Sequence, residues 1–137
     1  MNGTKITNAF APHRAKSKGS DASDISRARD TAHTFADGLG LAPDSCMADN
    51  LVLVVSELVT NALRHGGGRY RLEMSASPHV VIVAVSDPSP THPRERTPDL
   101  DGGGGGFGWH MVRRIARTVW ITAGPAPGKT VHAAFAR

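Results

Sequence analysis

Two side chains in SELVTNALRHG, residues 56–66, stand where an apolar helix has no use for them: Glu57 and Asn61. Four residues apart is one helical turn, so the carboxylate and the amide share a face. At ~100° per residue, Asn50, Glu57, Asn61 and Arg64 fall within a sector of roughly 60°, and Val52, Val55, Val59 and Leu63 lie on the far side. An unpaired carboxylate buried in such surroundings would cost on the order of several kcal/mol and would tend to protonate. The polar wedge therefore has to meet water, a partner group or a ligand. A surface carboxylate pairing with Arg64 is the plain alternative, and the spacing by itself leaves it open. The chemistry that would use the pair is specific. An amide oxygen is a hard ligand suited to Mg²⁺, which keeps several waters and takes substrate phosphates for the rest. A carboxylate one turn away can orient or deprotonate an attacking hydroxyl.

Two downstream features extend this. Asp87 ends an apolar run in VAVSDPSP, and Pro88 and Pro90 stop any ladder beyond it. A carboxylate held at a strand end can accept a hydrogen bond from the exocyclic amino group of adenine; an Asp that merely initiates a turn is the ordinary alternative. GGGGGFGWHMV, residues 102–112, places a glycine-rich backbone before a helical pattern, where N–H groups and the helix dipole can meet phosphate. The same glycines also suit a flexible linker. GPAPGKT, residues 124–130, imitates a Walker A loop. It is one residue short between its glycines, and the seven residues after Thr130 are too few for the helix that motif needs. It is expected to be a turn between strands.

The elements that must position these groups follow from periodicity. Ile25, Ala28, Ala32, Phe35 and Leu39 step by three and four, with Ser23 or Asp24 as cap and Gly38 and Gly40 as stops. Pro43 and Asp44 open a second helix with Met47, Leu51, Val54, Leu58 and Ala62 in register, running to His65 before three glycines. Tyr70, Leu72, Met74 and Ala76 alternate with polar residues as a half-exposed strand, and Val80–Val85 reads as a central one. Residues 88–106 show no periodicity, a length that in a small domain marks a functional or disordered loop. A short third helix begins near Phe107, and Val119–Ala123 and Lys129–Ala136 close the chain as strands. Helix, helix, strand, strand, loop, helix, strand, strand predicts an α+β two-layer sandwich: a mixed, mostly antiparallel sheet with helices on one face.

Composition bounds the rest. The chain has 137 residues, enough for one domain with its own core. Its formal charge of +4 suggests nucleic acid until it is located. Residues 1–22 hold four basic side chains against one acidic, and the remaining 115 hold twelve against eleven. A DNA-binding domain concentrates positive charge on a folded face. Here the excess sits on a polar stretch, so residues 1–22 are expected to form a disordered basic tail and 23–137 the folded domain, with no direct nucleic-acid contact. The lone Cys46 excludes an internal disulfide, and the apolar runs are too short to span a bilayer. A cytoplasmic protein without a membrane partner is the expectation.

Taken in order, SELVTNALRHG, SDPSP, GGFGWHMV and GKTVHAAF resemble the Bergerat-fold (GHKL) ATPases, with a histidine-kinase-type ATP-binding domain over about residues 24–136. The likeness is greatest to the small bacterial anti-sigma-factor serine/threonine kinases and their stand-alone ATP-binding relatives. The resemblance implies ATP and Mg²⁺ as cofactors. It implies that Glu57 is the general base and Asn61 the Mg²⁺ ligand, with Asp87 reading the adenine amino group. Gly105, Gly106 and Gly108 would belong to the phosphate lid, and Thr130 would reinforce the adenine site through Asp87 or a water. It further implies a protein serine kinase acting as an anti-sigma factor, with a sigma factor and an anti-sigma-factor antagonist as partners and a homodimer as assembly. The sequence departs from the family's pattern twice. Pro88-Ser89-Pro90 follows Asp87 where many relatives have a glycine two residues on. Phe107 stands where many kinases have Arg, leaving Arg113 or Arg114 as the candidate cation. A non-catalytic nucleotide-binding module that holds a protein partner without phosphotransfer is the second reading. His65 and His110 flank the site without a third metal ligand.

Overall fold

A computed structural model of the chain describes residues 13–91 and 106–137. The elements run β1 (His13–Gly19), α1 (Asp24–Asp37), α2 (Met47–His65), β2 (Tyr70–Ala76), β3 (Val80–Asp87), α3 (Gly106–Ile115), β4 (Thr118–Ala123) and β5 (Lys129–Ala136). The five strands form one sheet in the order β1-β2-β3-β5-β4. Every pairing among them is antiparallel, so the parallel component of a mixed sheet is not found among the described strands. The helices pack together as a second layer: α1 against α2 and β1, α2 against β2 and β3, α3 against α2 and β4. The expected α+β sandwich is the observed one.

Period-two alternation decides which strand residues enter the core. Leu72 and Met74 of β2, Val81, Val83 and Val85 of β3, and Val131, Ala133 and Phe135 of β5 are buried against the helices. From the other layer come Ala28, Ala32 and Phe35 of α1, Leu51, Val54, Val55, Leu58 and Val59 of α2, and Val112 of α3. Removing a side chain such as Leu51 from this cluster should cost about 2–5 kcal/mol. The sheet's other face is open and carries Trp120, which is 37% exposed and stacked on His132 at 4.9 Å between ring centroids.

The stretch expected to be a tail behaves differently where it is described. Residues 1–12 lie outside the described residues, but His13–Gly19 is an edge strand in full register with β2, from His13 opposite Ala76 to Gly19 opposite Tyr70. Composition argued against order here because the strand buries little apolar surface. Its order comes from the backbone ladder and a few side-chain anchors. His13 Nε2 lies 3.0 Å from the Phe35 carbonyl and its ring stacks on Phe35; Ser17 Oγ lies 3.0 Å from Tyr70 Oη.

The helix starts also differ in detail. Ser23 is the N-cap of α1 without a side-chain cap bond. Asp24 instead reaches backward, accepting the Ser20 and Asp21 N–H groups and an Arg27 guanidinium bond. The second helix begins at Met47, three residues later than Pro43-Asp44 suggests, and Ser45 Oγ accepts the Met47 N–H.

Candidate functional site

The glycines after α2 join two parts of the site. Gly66 donates its N–H to Ala62 and closes the helix, and Gly67 and Gly68 take φ of 96° and 84°, which suits glycine. The turn lies beneath the end of β3. A Cβ on Gly66 would fall 2.5 Å from Asp87 Cγ, and one on Gly67 would fall 2.6 Å from Pro88 Cγ. Small residues are needed here because the end of β3 is packed directly onto the turn.

The α2 wedge is intact. Asn50, Glu57 and Asn61 are half-buried and Arg64 is exposed, whereas Val52, Val55 and Val59 on the far side are buried. Neither the Glu57 carboxylate nor the Asn61 amide has a hydrogen-bond or ion-pair partner among the described residues. Burial pushes the Glu57 carboxyl above its ordinary range, with the Arg64 charge opposing the shift. The N-terminal turn of α3 closes over it: Gly108 is buried, and a Cβ there would collide with Glu57 Oε2. Gly106 begins α3, so two of the three glycines expected at a phosphate lid are in its first turn, and Gly108 is the one beside Glu57. Gly105 lies outside the described residues. Half-buried oxygen ligands with no protein partner, next to a helix N-terminus, fit a metal-bound phosphate group.

The β3 end is arranged in the opposite way. Asp87 has the same strand parity as Val81, Val83 and Val85, so it faces the helices, and it is buried. Lys129 stands opposite it on β5. Lys129 Nζ donates to both Asp87 oxygens at 2.9 Å and to the Ser89 carbonyl at 3.1 Å, with both side chains 5% exposed. The Ser89 N–H donates to Asp87 Oδ1 at 2.9 Å, an Asx turn that fixes the first proline segment. Both Asp87 oxygens thus have a protein donor before any ligand arrives. A base amino group fits only by sharing Oδ2 with Lys129.

Thr130 does not join Asp87. One residue along β5 reverses the direction of the side chain. Its hydroxyl donates to the Gly124 carbonyl at 2.8 Å and is 2.8 Å from Ser86 Oγ, on the sheet's open face. Lys129 was the residue to single out, and strand parity carries the signal: Val131, Ala133 and Phe135 point inward, so Lys129 does as well. The Walker-like GPAPGKT is a turn followed by a strand. The Gly124 N–H bonds to Gly128, the Gly128 N–H bonds to Pro125, and Lys129 is committed to a buried ion pair. Among the described residues there is no group of three or more His, Cys, Asp or Glu that could hold a metal ion, so His65 and His110 do not form such a centre. None of the described helices is long and apolar enough to cross a membrane.

The family model described as a histidine kinase-like ATPase domain matches residues 19–135. That span takes in α1 through β5, the α2 wedge, the β3 end and α3. No curated protein matches the chain.

Proposed function

We propose that this chain, which belongs to the histidine kinase-like ATPase domain family, is an ATP- and Mg²⁺-dependent protein serine kinase acting as an anti-sigma factor in a partner-switching circuit. The observation that carries the catalytic part is the unpartnered pair on α2. Glu57 and Asn61 are half-buried, one turn apart, and no protein group among the described residues bonds to them. Their polar atoms still reach solvent, so water there can be exchanged for a ligand.

In this reading Asn61 holds Mg²⁺ and Asp87 reads the adenine amino group beside Lys129. When bound, the metal supplies charge neutralisation on the phosphates. The chain's residues do the rest. Glu57, its carboxyl raised by burial, accepts the proton of the attacking serine hydroxyl. Gly108 permits the close approach of α3 that screens the carboxylate from water. A sigma factor and an anti-sigma-factor antagonist are the proposed protein partners, a homodimer the proposed assembly, and the cytoplasm the proposed location; these rest on motif resemblance.

A specific observation favours the second reading, a nucleotide-binding module that regulates a partner without phosphotransfer. The Asp87–Lys129 pair already occupies the base-reading carboxylate, which leaves the site less suited to bind and turn over a nucleotide. Transfer of labelled γ-phosphate to a serine of an antagonist protein separates the two. The kinase reading expects transfer by wild type and loss of about 10²-fold or more in Glu57→Ala, with nucleotide binding retained. A variant as active as wild type would remove Glu57 from the chemistry. No transfer by either protein, with ATP bound, would establish the binder.

A further inference from the structure

A second cavity opens on the other side of β3, where the sheet's open face meets the chain segment leading into α1. Its volume is about 540 Å³, within the range of small-molecule sites, and none of its walls belongs to the α2 wedge. One wall carries Lys18, Arg69 and Arg71; the opposite wall is apolar, built from Pro88, Pro125 and Pro127. Two carboxylates and Arg27 also border it, and each is paired, Asp24 with Arg27 and Asp87 with Lys129. Asp24 accepts the Ser20 and Asp21 N–H groups and an Arg27 ion pair, and these bonds, Ser20 foremost, hold its carboxyl below its ordinary value. Asp87 is engaged by Lys129. Lys18, Arg69 and Arg71 are exposed, and their side-chain cations have no hydrogen-bond or ion-pair partner among the described residues, although the Lys18 carbonyl accepts from Arg27. The cavity is therefore lined by three uncompensated cations.

The strand register shows that this is costly. Lys16 stands opposite Glu73, a complementary cross-strand pair, but one step along Lys18 stands directly opposite Arg71. Like charges placed opposite each other destabilise a sheet. Arg69, two residues before Arg71, adds a third positive charge at the same end. A sheet under selection for stability alone would put an acidic residue at 18 or 71, as it does at 73.

From these observations we infer that the cleft is a binding site for a small phosphate monoester with a compact apolar body. A dianion answers three cations better than a monocarboxylate, and Arg71 can bind it through two N–H donors at once. The proline wall accepts the apolar body, which an inorganic ion would leave unused. The site shares Asp87 with the base end of the nucleotide reading but takes no lining group from α2 or α3, so it stands apart from the phosphate end.

Phenyl phosphate is the probe, followed by backbone amide NMR on the full chain, with inorganic phosphate, phenol and benzoate as parallel titrations. Saturable shifts are expected at the amides of residues 18–20, 69–71, Ser86, Asp87 and Ala126, the lining prolines having no N–H. Phenyl phosphate should bind more tightly than any of the other three. Lys18→Gln and Arg71→Gln should each weaken it about tenfold. Both variants remove a like-charge contact, so they should melt no lower than wild type, which separates lost binding from lost folding. Asn61→Ala should bind phenyl phosphate like wild type, so failure of the ATP reading leaves this one standing. The proposal is overturned if shifts are absent, if they centre on Asn61, if Arg71→Gln binds equally well, or if benzoate binds as tightly as phenyl phosphate.

Discussion

The two ends of the candidate nucleotide site differ in how their polar groups are satisfied. On α2, Glu57 and Asn61 are half-buried and without a hydrogen-bond partner among the described residues. At the end of β3, Asp87 is fully engaged by Lys129 and the Ser89 amide in a buried ion pair. The α2 end keeps hydrogen-bonding capacity that no described residue uses. The β3 end has used most of its own to fix the strand terminus and the turn after it. Nucleotide affinity should therefore come mainly from the phosphate end, with the base end contributing shape and one shared acceptor. Asp87 also shows why a carboxylate that a motif singles out is no guarantee of a free one.

The largest effect is expected from breaking the base end. Lys129→Met leaves the Asp87 carboxylate buried without its cation and should lower unfolding free energy by about 3–5 kcal/mol in denaturant titrations. A loss below about 1 kcal/mol would mean that the pair is open to water and that the contrast drawn above is wrong. Changing Asp87→Leu together with Lys129→Met should recover most of that loss, since an apolar pair of similar volume often matches a buried ion pair.

Next in size is Gly108→Ala. The added methyl would meet the carboxylate end of Glu57, so that side chain or α3 has to shift, at a cost of up to about 1–3 kcal/mol, and ATP binding should weaken with it. Unchanged stability and affinity would show that α3 does not close over Glu57 in solution.

The smallest effect is the pH dependence of stability. Burial raises the Glu57 carboxyl in the folded chain, so in the window from the ordinary carboxylate range up to that raised value the folded state binds more protons than the unfolded. Its contribution is present at acid pH and lost as pH rises through the window. Glu57→Gln should remove that slope and be at least as stable as wild type at neutral pH. His132 works in the opposite sense: burial lowers its pKa, so the unfolded chain binds the extra proton and acidification through the histidine range destabilises the fold. Chemical denaturation across pH 4 to 8 of wild type, Glu57→Gln and His132→Gln would read both, and identical curves would contradict both assignments.

Most of the fold was legible because the chain writes its core in two clear periods. The three- and four-residue steps of Ile25 to Leu39 and Met47 to Ala62 found two helices, and alternation from Tyr70 to Ala76 found a strand facing them. The wedge was legible for the same reason: two polar residues interrupt an otherwise apolar helix. β1 was not, because its stability comes from backbone bonds to β2 and from His13 and Ser17 reaching residues far along the chain. The Asp87–Lys129 pair spans 42 residues, and no local pattern announces it. Thr130 drew attention through its motif, yet the alternation of Val131, Ala133 and Phe135 already places it on the face away from Asp87. The like-charge pair of Lys18 and Arg71 was hidden as well, since it exists only once β1 is a strand.

Calorimetric titration of the full chain with ATP, with and without Mg²⁺, on wild type and Asn61→Ala, tests the central claim most directly. The account predicts saturable heat for wild type that requires Mg²⁺ and falls sharply in the variant. Equal heats for the two proteins, or binding indifferent to Mg²⁺, would contradict it.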